Sequence, residues 1–118
     1  MIHPCDTVEA FQHLLDASKQ APVVLFKHST RCPFSARAHE EFTRFAEEIG
    51  DQADCWQVLV IEQRPVSLEI AAVTGVLHQS PQALLIMDGV VRWHTSHSTI
   101  TCEALHNALT AARPGEPA

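Results

Sequence analysis

One junction limits this chain more than any other feature. "VVLF" (Val23–Phe26) is an apolar run too short for a helix, opened by Pro22, and it passes through "KHSTR" into a Cys-Pro step. From Pro33 the apolar residues Phe34, Ala38, Phe42, Phe45, Ala46 and Ile49 advance by threes and fours, with polar residues between them. The run reads as a buried strand and the segment 33–49 as an amphipathic helix, so a lone thiol stands where strand turns into helix.

The remaining elements alternate in the same way. Val8, Phe11, Leu14, Leu15 and Ala17 have helical spacing, predicting a helix from Asp6 or Thr7 to Lys19. "CWQVLVIE" is β-rich, and "RPVSLEIAAVTG" reads as a short helix ended by Gly75. After the connector "VLHQSPQ", "ALLIMDGVVRWH" reads as a hairpin, with Asp88-Gly89 suited to a type I′ turn. A last helix is predicted from about Thr101 to Ala112. The order α-β-α-β-α-β-β-α predicts an α/β fold, a central mixed sheet with helices on both faces. In such sheets ligands meet the C-terminal ends of the strands, where Cys32 falls.

Length and composition narrow the function classes. With 118 residues and no repeat or linker, a single domain over 1–118 is expected, with 1–5 and 113–118 frayed. A net charge of -6 argues against nucleic acid or an anionic membrane as partner. No apolar run reaches membrane-spanning length and no secretory signal is visible, so a cytoplasmic location is expected. Cys5, Cys32, Cys55 and Cys102 include no Cys-x-x-Cys pair, and four free thiols are the expectation in a reducing compartment.

Cys32 is the expected catalytic residue. Pro33 suits the first position of a helix, which makes Cys32 its cap and sets the sulfur near free backbone N–H groups that favour negative charge. Lys27, His28, Arg31 and Arg37 are near in sequence and are expected to add positive potential. Ser35 stands where a second cysteine would resolve a mixed disulfide, and a hydroxyl cannot do that. The pair Cys32/Ser35 therefore specifies a monothiol exchange, in which an outside thiol completes the cycle. Ser35 is either a hydrogen-bond donor to the thiolate or an ordinary first-turn serine.

The other thiols are weaker candidates. Cys55 reads as packing and Cys5 as part of a mobile end. Cys102 lies in a helix first turn that could also favour its thiolate. His28, His94 and His97 lack a further ligand, so no metal site is expected. Glu62 reads as the end of a strand, able to pair with Arg64.

The element order, the Cys-x-x-Ser at a helix start and Ser80-Pro81 before the hairpin resemble the thioredoxin fold. "LFKHST-CP-S", "VLVIE-RPVS", "SPQ" and "WHTSH" are similar to the bacilliredoxin family of the YtxJ type, over roughly residues 5–112. The family's usual Cys-Pro-Ile-Ser is Cys-Pro-Phe-Ser here. The resemblance implies a cis Ser80-Pro81 bond that presents backbone to substrate beside Cys32. It also implies bacillithiol as co-substrate with no bound cofactor, S-bacillithiolated proteins as partners, and a flavin-dependent bacillithiol disulfide reductase acting indirectly. Two other readings stay open on the residues: a monothiol glutaredoxin-like protein serving glutathione, and a non-enzymatic redox-sensing module.

Overall fold

The structure is a computed structural model and describes residues 1–112. Its elements are β1 (Ile2–Pro4), α1 (Val8–Ala17), β2 (Val23–His28), α2 (Pro33–Ile49), β3 (Asp54–Leu59), α3 (Arg64–Thr74), β4 (Gln82–Met87), β5 (Val90–Ser96) and α4 (Cys102–Ala112). Two short 3₁₀ turns, Gly50–Gln52 and His97–Thr99, stand before β3 and α4.

The strands form one mixed sheet in the order β1-β3-β2-β4-β5. β1, β3 and β2 are parallel, whereas β4 runs antiparallel to β2 and β5 antiparallel to β4. Alternation along the strands builds two cores. Val24, Phe26, Ala83 and Leu85 face α2 and α4, packing on Phe42, Phe45, Leu105 and Leu109. Val23, Leu25, Leu84 and Ile86 face α1 and α3, packing on Phe11, Leu14, Val66 and Ile70. β4 is buried at all six positions because both of its faces are covered. Each fully buried Phe or Leu contributes roughly 1.5–3 kcal/mol, so the first of these layers holds α2 firmly against the sheet.

Local signals set the boundaries. Thr7 caps α1, its Oγ1 accepting from the Ala10 N–H at 2.9 Å. Gly75 ends α3 at φ 74. Asp88 and Gly89 both have positive φ, as a type I′ turn requires. The turn is pinned to the end of α1, where Gly89 N–H donates to Ser18 Oγ at 2.8 Å.

Two expectations need correction. The N-terminus does not fray: Ile2, His3 and Pro4 pair with Cys55, Trp56 and Gln57, and Cys5 is fully buried, its N–H donating to the Gln57 carbonyl at 2.7 Å. Three residues carry no readable period, and the strand forms because β3 offers an open edge, where a proline is tolerated. β3 also ends at Leu59, so Glu62 lies in an exposed turn; it accepts from Thr30 Oγ1 at 3.3 Å and makes no ion pair with Arg64 among the described residues. The expected frayed tail, 113–118, lies outside the described residues.

Candidate active site

The β2–α2 junction is built as a tight turn. Cys32 is the N-cap of α2, with φ -110 and ψ 122, and Pro33 follows in the first turn. The Cys32 N–H closes the turn on the Ser29 carbonyl at 3.3 Å, and the Cys32 carbonyl accepts from the Ser35 and Ala36 N–H groups at 3.0 and 3.1 Å. Its side chain is half-buried and takes no hydrogen bond among the described residues. The thiol is thus held at a helix start with its sulfur uncommitted.

Ser35 is committed elsewhere. It is fully buried, its Oγ accepts from the Ser29 N–H at 2.8 Å, and it lies 2.8 Å from His28 Nδ1. Burial and the neighbouring His39 ring depress the His28 pKa, so its ring is neutral near pH 7. Ser35 Oγ accepts from Ser29, and the His28 tautomer sets whether it donates to Nδ1 or accepts from it as well. No hydrogen bond from Ser35 to Cys32 stands among the described residues, and the contacts Ser35 does make brace the turn. His28 also stacks on His39, ring centroids 4.6 Å apart, so the expected histidinium beside the thiol is a neutral stacked ring.

Lys27 requires a second correction. Alternation sends it to the α1/α3 face, where it is fully buried and its Nζ donates to His78 Nδ1 at 3.0 Å. Ser67 Oγ lies 3.2 Å from the same nitrogen. Burial lowers the Lys27 pKa to about 8, and His78 is also pulled down, by burial and then by Lys27 and Arg64. Its charge is spent on the face away from α2. Arg31, next to the thiol, is exposed and forms no ion pair among the described residues.

Ser80-Pro81 is cis. Lys27 pairs with Gln82 across β2 and β4, which brings Pro81 opposite the end of β2 and so beside the Cys32 turn. The Pro81 carbonyl accepts from the His97 N–H at 3.0 Å, and the buried Ser80 Oγ has no hydrogen-bond partner. A groove of about 370 Å³ runs from the start of α2 to the His97–Thr99 turn, lined by Phe34, Arg37, Ala38, His97 and Ser98 among others. Sequence reasoning missed this groove: Arg37 and His97 are far apart in the chain, and the β4–β5 pairing with the Pro81–His97 bond sets the turn in place. His94 sits on β5 opposite Leu84, so the three histidines weighed as ligands do not converge.

None of the other thiols reaches Cys32. Cys55 pairs with Val24, four residues before the end of β2 and thus about 13 Å back along the strand. Burial pushes the pKa of both Cys5 and Cys55 up to about 12. Cys102 contacts Glu41 and Glu48, at least about 12 Å along the α2 axis from Pro33, whereas a disulfide needs Cα atoms within roughly 7 Å. Its pKa is raised, by burial and then by Glu48, contrary to the expected lowering.

Residues 3–105 match the family described as monothiol bacilliredoxin BrxC. The chain belongs to the monothiol bacilliredoxin family. A solved protein described by its thioredoxin fold and a proposed oxidoreductase activity is 31% identical to this bacilliredoxin, with TM-score 0.82 over 91% of this chain and 92% of that one. Fasciola hepatica thioredoxin has the same fold at 15% identity, TM-score 0.76, over 94% and 99% of the two chains. Mitochondrial thioredoxin 3 of Saccharomyces cerevisiae has it at 16% identity, TM-score 0.71, over 93% and 94%. The family and the fold place the chemistry of this bacilliredoxin in thiol redox exchange, with bacillithiol as the small thiol the family implies. Among the described residues no helix is long and apolar enough to cross a membrane.

Proposed function

We propose that this chain removes bacillithiol from S-bacillithiolated proteins, with Cys32 as the catalytic nucleophile. The Cys32 thiolate attacks the bacillithiol sulfur of the mixed disulfide. That S–S bond breaks, the client cysteine leaves as a thiolate and takes a proton from solvent, and a Cys32–bacillithiol disulfide forms. A second bacillithiol thiolate then attacks the adduct, regenerates Cys32 and departs as bacillithiol disulfide. The two electrons come from that second thiol, and a flavin-dependent reductase restores them in the cytoplasm.

The observation that carries the reading is the absence of any resolving thiol near Cys32 among the described residues. Ser35 occupies the resolving position with its hydroxyl already paired, and the other three cysteines are buried at a distance. An adduct on Cys32 waits for an external thiol. Pro33 fixes the helix start, Arg31 beside Cys32 in the chain supplies a cation with no ion pair among the described residues, and Ser35 with His28 braces the turn as positioning residues. Lys27 acts only through the packing of β2. Ser80 and Pro81 form the substrate-binding edge through their backbone at the cis bond. In the groove beside Phe34, Arg37 is the group able to pair with a carboxylate of the small thiol, with Glu41 of opposite charge further along the same wall.

Mass spectrometry of the protein mixed with a bacillithiol-capped model protein, beside a glutathione-capped one and the Cys32→Ser variant, tests this. Transfer of the bacillithiol group to Cys32 with release of the model thiol is expected. Movement of glutathione alone would assign the protein to the glutathione-linked reading. If neither group moves while Cys32 alkylates readily, the redox-sensing reading replaces both.

A further inference from the structure

A cluster outside the exchange site joins three kinds of metal-ligating atom. Cys102 and His106 lie four residues apart on α4 and so share one face of the helix. Both meet Glu48 in the last turns of α2: His106 Nε2 is 2.8 Å from Glu48 Oε1, and Cys102 Sγ donates to the same oxygen at 3.4 Å. The three atoms all lie within 4.8 Å of one another.

That spacing suits one tetrahedral ion. Zinc bonds of about 2.3 Å to sulfur and about 2.0–2.2 Å to nitrogen and oxygen imply ligand–ligand edges of roughly 3.4–3.6 Å. From separations of 2.8 to at most 4.8 Å the triad reaches those edges by adjustments of no more than about 1.4 Å. The surroundings already orient the donors as outer ligands do. Arg44 Nε holds Glu48 Oε2 at 3.2 Å, turning Oε1 toward α4, and Glu41 Oε1 accepts the Cys102 N–H at 2.9 Å, fixing the start of that helix. A cavity of about 420 Å³ lined by these residues opens to solvent and gives an ion an entry path.

The charges agree with the geometry. A nearly buried thiol aimed at a carboxylate is a poor arrangement for two groups that both favour negative charge. A divalent ion that takes the place of the thiol proton balances one thiolate and one carboxylate, with the neutral imidazole as third donor. We propose that Glu48, Cys102 and His106 form a site for a divalent ion of the zinc class, joining α2 to α4, with water in the fourth position. Thiolate, imidazole and carboxylate together favour Zn²⁺ or Co²⁺ over the hard oxygen-loving cations. On binding, the Cys102 S–H proton goes to solvent, the hydrogen that His106 Nε2 donates to Glu48 leaves that nitrogen by exchange with solvent so that the ring is protonated on Nδ1, and no electron moves.

The test uses the full chain carrying Cys32→Ser, so that no other accessible thiol competes. Co²⁺ titration followed by absorbance should saturate at one ion per chain with a thiolate-to-cobalt charge-transfer band, and Zn²⁺ should displace the cobalt. Adding Cys102→Ser should abolish the band, and adding His106→Gln, at a half-exposed position, should weaken binding by about tenfold or more. Zn²⁺ should raise the melting temperature of the Cys32→Ser chain and leave that of the Cys102→Ser double variant unmoved. No saturable band in the folded Cys32→Ser chain, or a band unchanged by Cys102→Ser and His106→Gln, overturns the site and leaves the triad a hydrogen-bond network between two helices.

Discussion

Two cysteines of this protein stand at helix starts, and they have opposite fates. Cys32 caps α2, is half-exposed and has no hydrogen bond on its sulfur among the described residues. Cys102 opens α4, is 5% exposed, and donates a hydrogen bond from its thiol to Glu48. The helix-start argument favours an anionic sulfur at both. At Cys102 burial and the carboxylate win, and its pKa rises. A helix N-terminus is therefore a weak effect that a buried site or one neighbouring carboxylate overrides. What separates the two sulfurs is the company around each.

The largest expected effect breaks the pair outright. Cys32→Ser should abolish bacillithiol transfer to background, while Cys102→Ser should leave it unchanged when both are assayed on the same capped protein. Loss of transfer in Cys102→Ser with the fold intact would falsify the division of roles. Next, brief alkylation of the native protein at pH 7 should label Cys32 alone, with Cys5, Cys55 and Cys102 labelled only after unfolding. Peptide mapping reads this directly.

Ser35→Cys sharpens the monothiol half of the comparison. A thiol one turn from Cys32 should attack the adduct and expel bacillithiol, so the product is an internal disulfide rather than a bacillithiol adduct, seen by intact mass. The variant should also lose about 1–3 kcal/mol of stability, because the buried Ser29 N–H and the His28 ring lose their partner.

Lys27 asks whether a nearby sequence charge acts on the thiol at all. Its folded pKa of about 8 lies below the usual 10.5, so the unfolded chain holds more protons between those values and stability rises with pH across that window. Lys27→Met should stabilise the protein at pH 7 by on the order of 2 kcal/mol, with the gain fading as pH approaches 10.5. Urea unfolding at pH 7 and pH 10 measures it, and the transfer rate should not move. A slower rate at unchanged stability would return Lys27 to the site. The smallest effect belongs to Glu48→Gln, which removes one cause of the raised Cys102 pKa but leaves the larger one, burial; alkylation of Cys102 should become only modestly faster in partly denaturing urea.

Much of this was legible in the chain. The period of two or of three to four that marks each long element, the Cys-Pro step and the Asp88-Gly89 turn are local, and local sterics decide them. Ser35 in place of a cysteine states the monothiol chemistry by itself, because no fold can make a hydroxyl resolve a disulfide. The strand at Ile2–Pro4 was not legible, since three residues carry no period and an edge on β3 supplies the reason to pair. Nor were the directions of Lys27 and His28. Neighbours in sequence, they lie on opposite faces of β2, one spent on His78 and the other on Ser35. The groove beside Phe34 and the Glu48–Cys102–His106 triad each join α2 to residues more than fifty positions away. Sequence determined which groups this protein has to work with, because composition and short-range spacing fix identity and local conformation. Tertiary structure decided which of those groups meet, since burial, charge and hydrogen-bond supply are properties of the packed neighbourhood rather than of the chain.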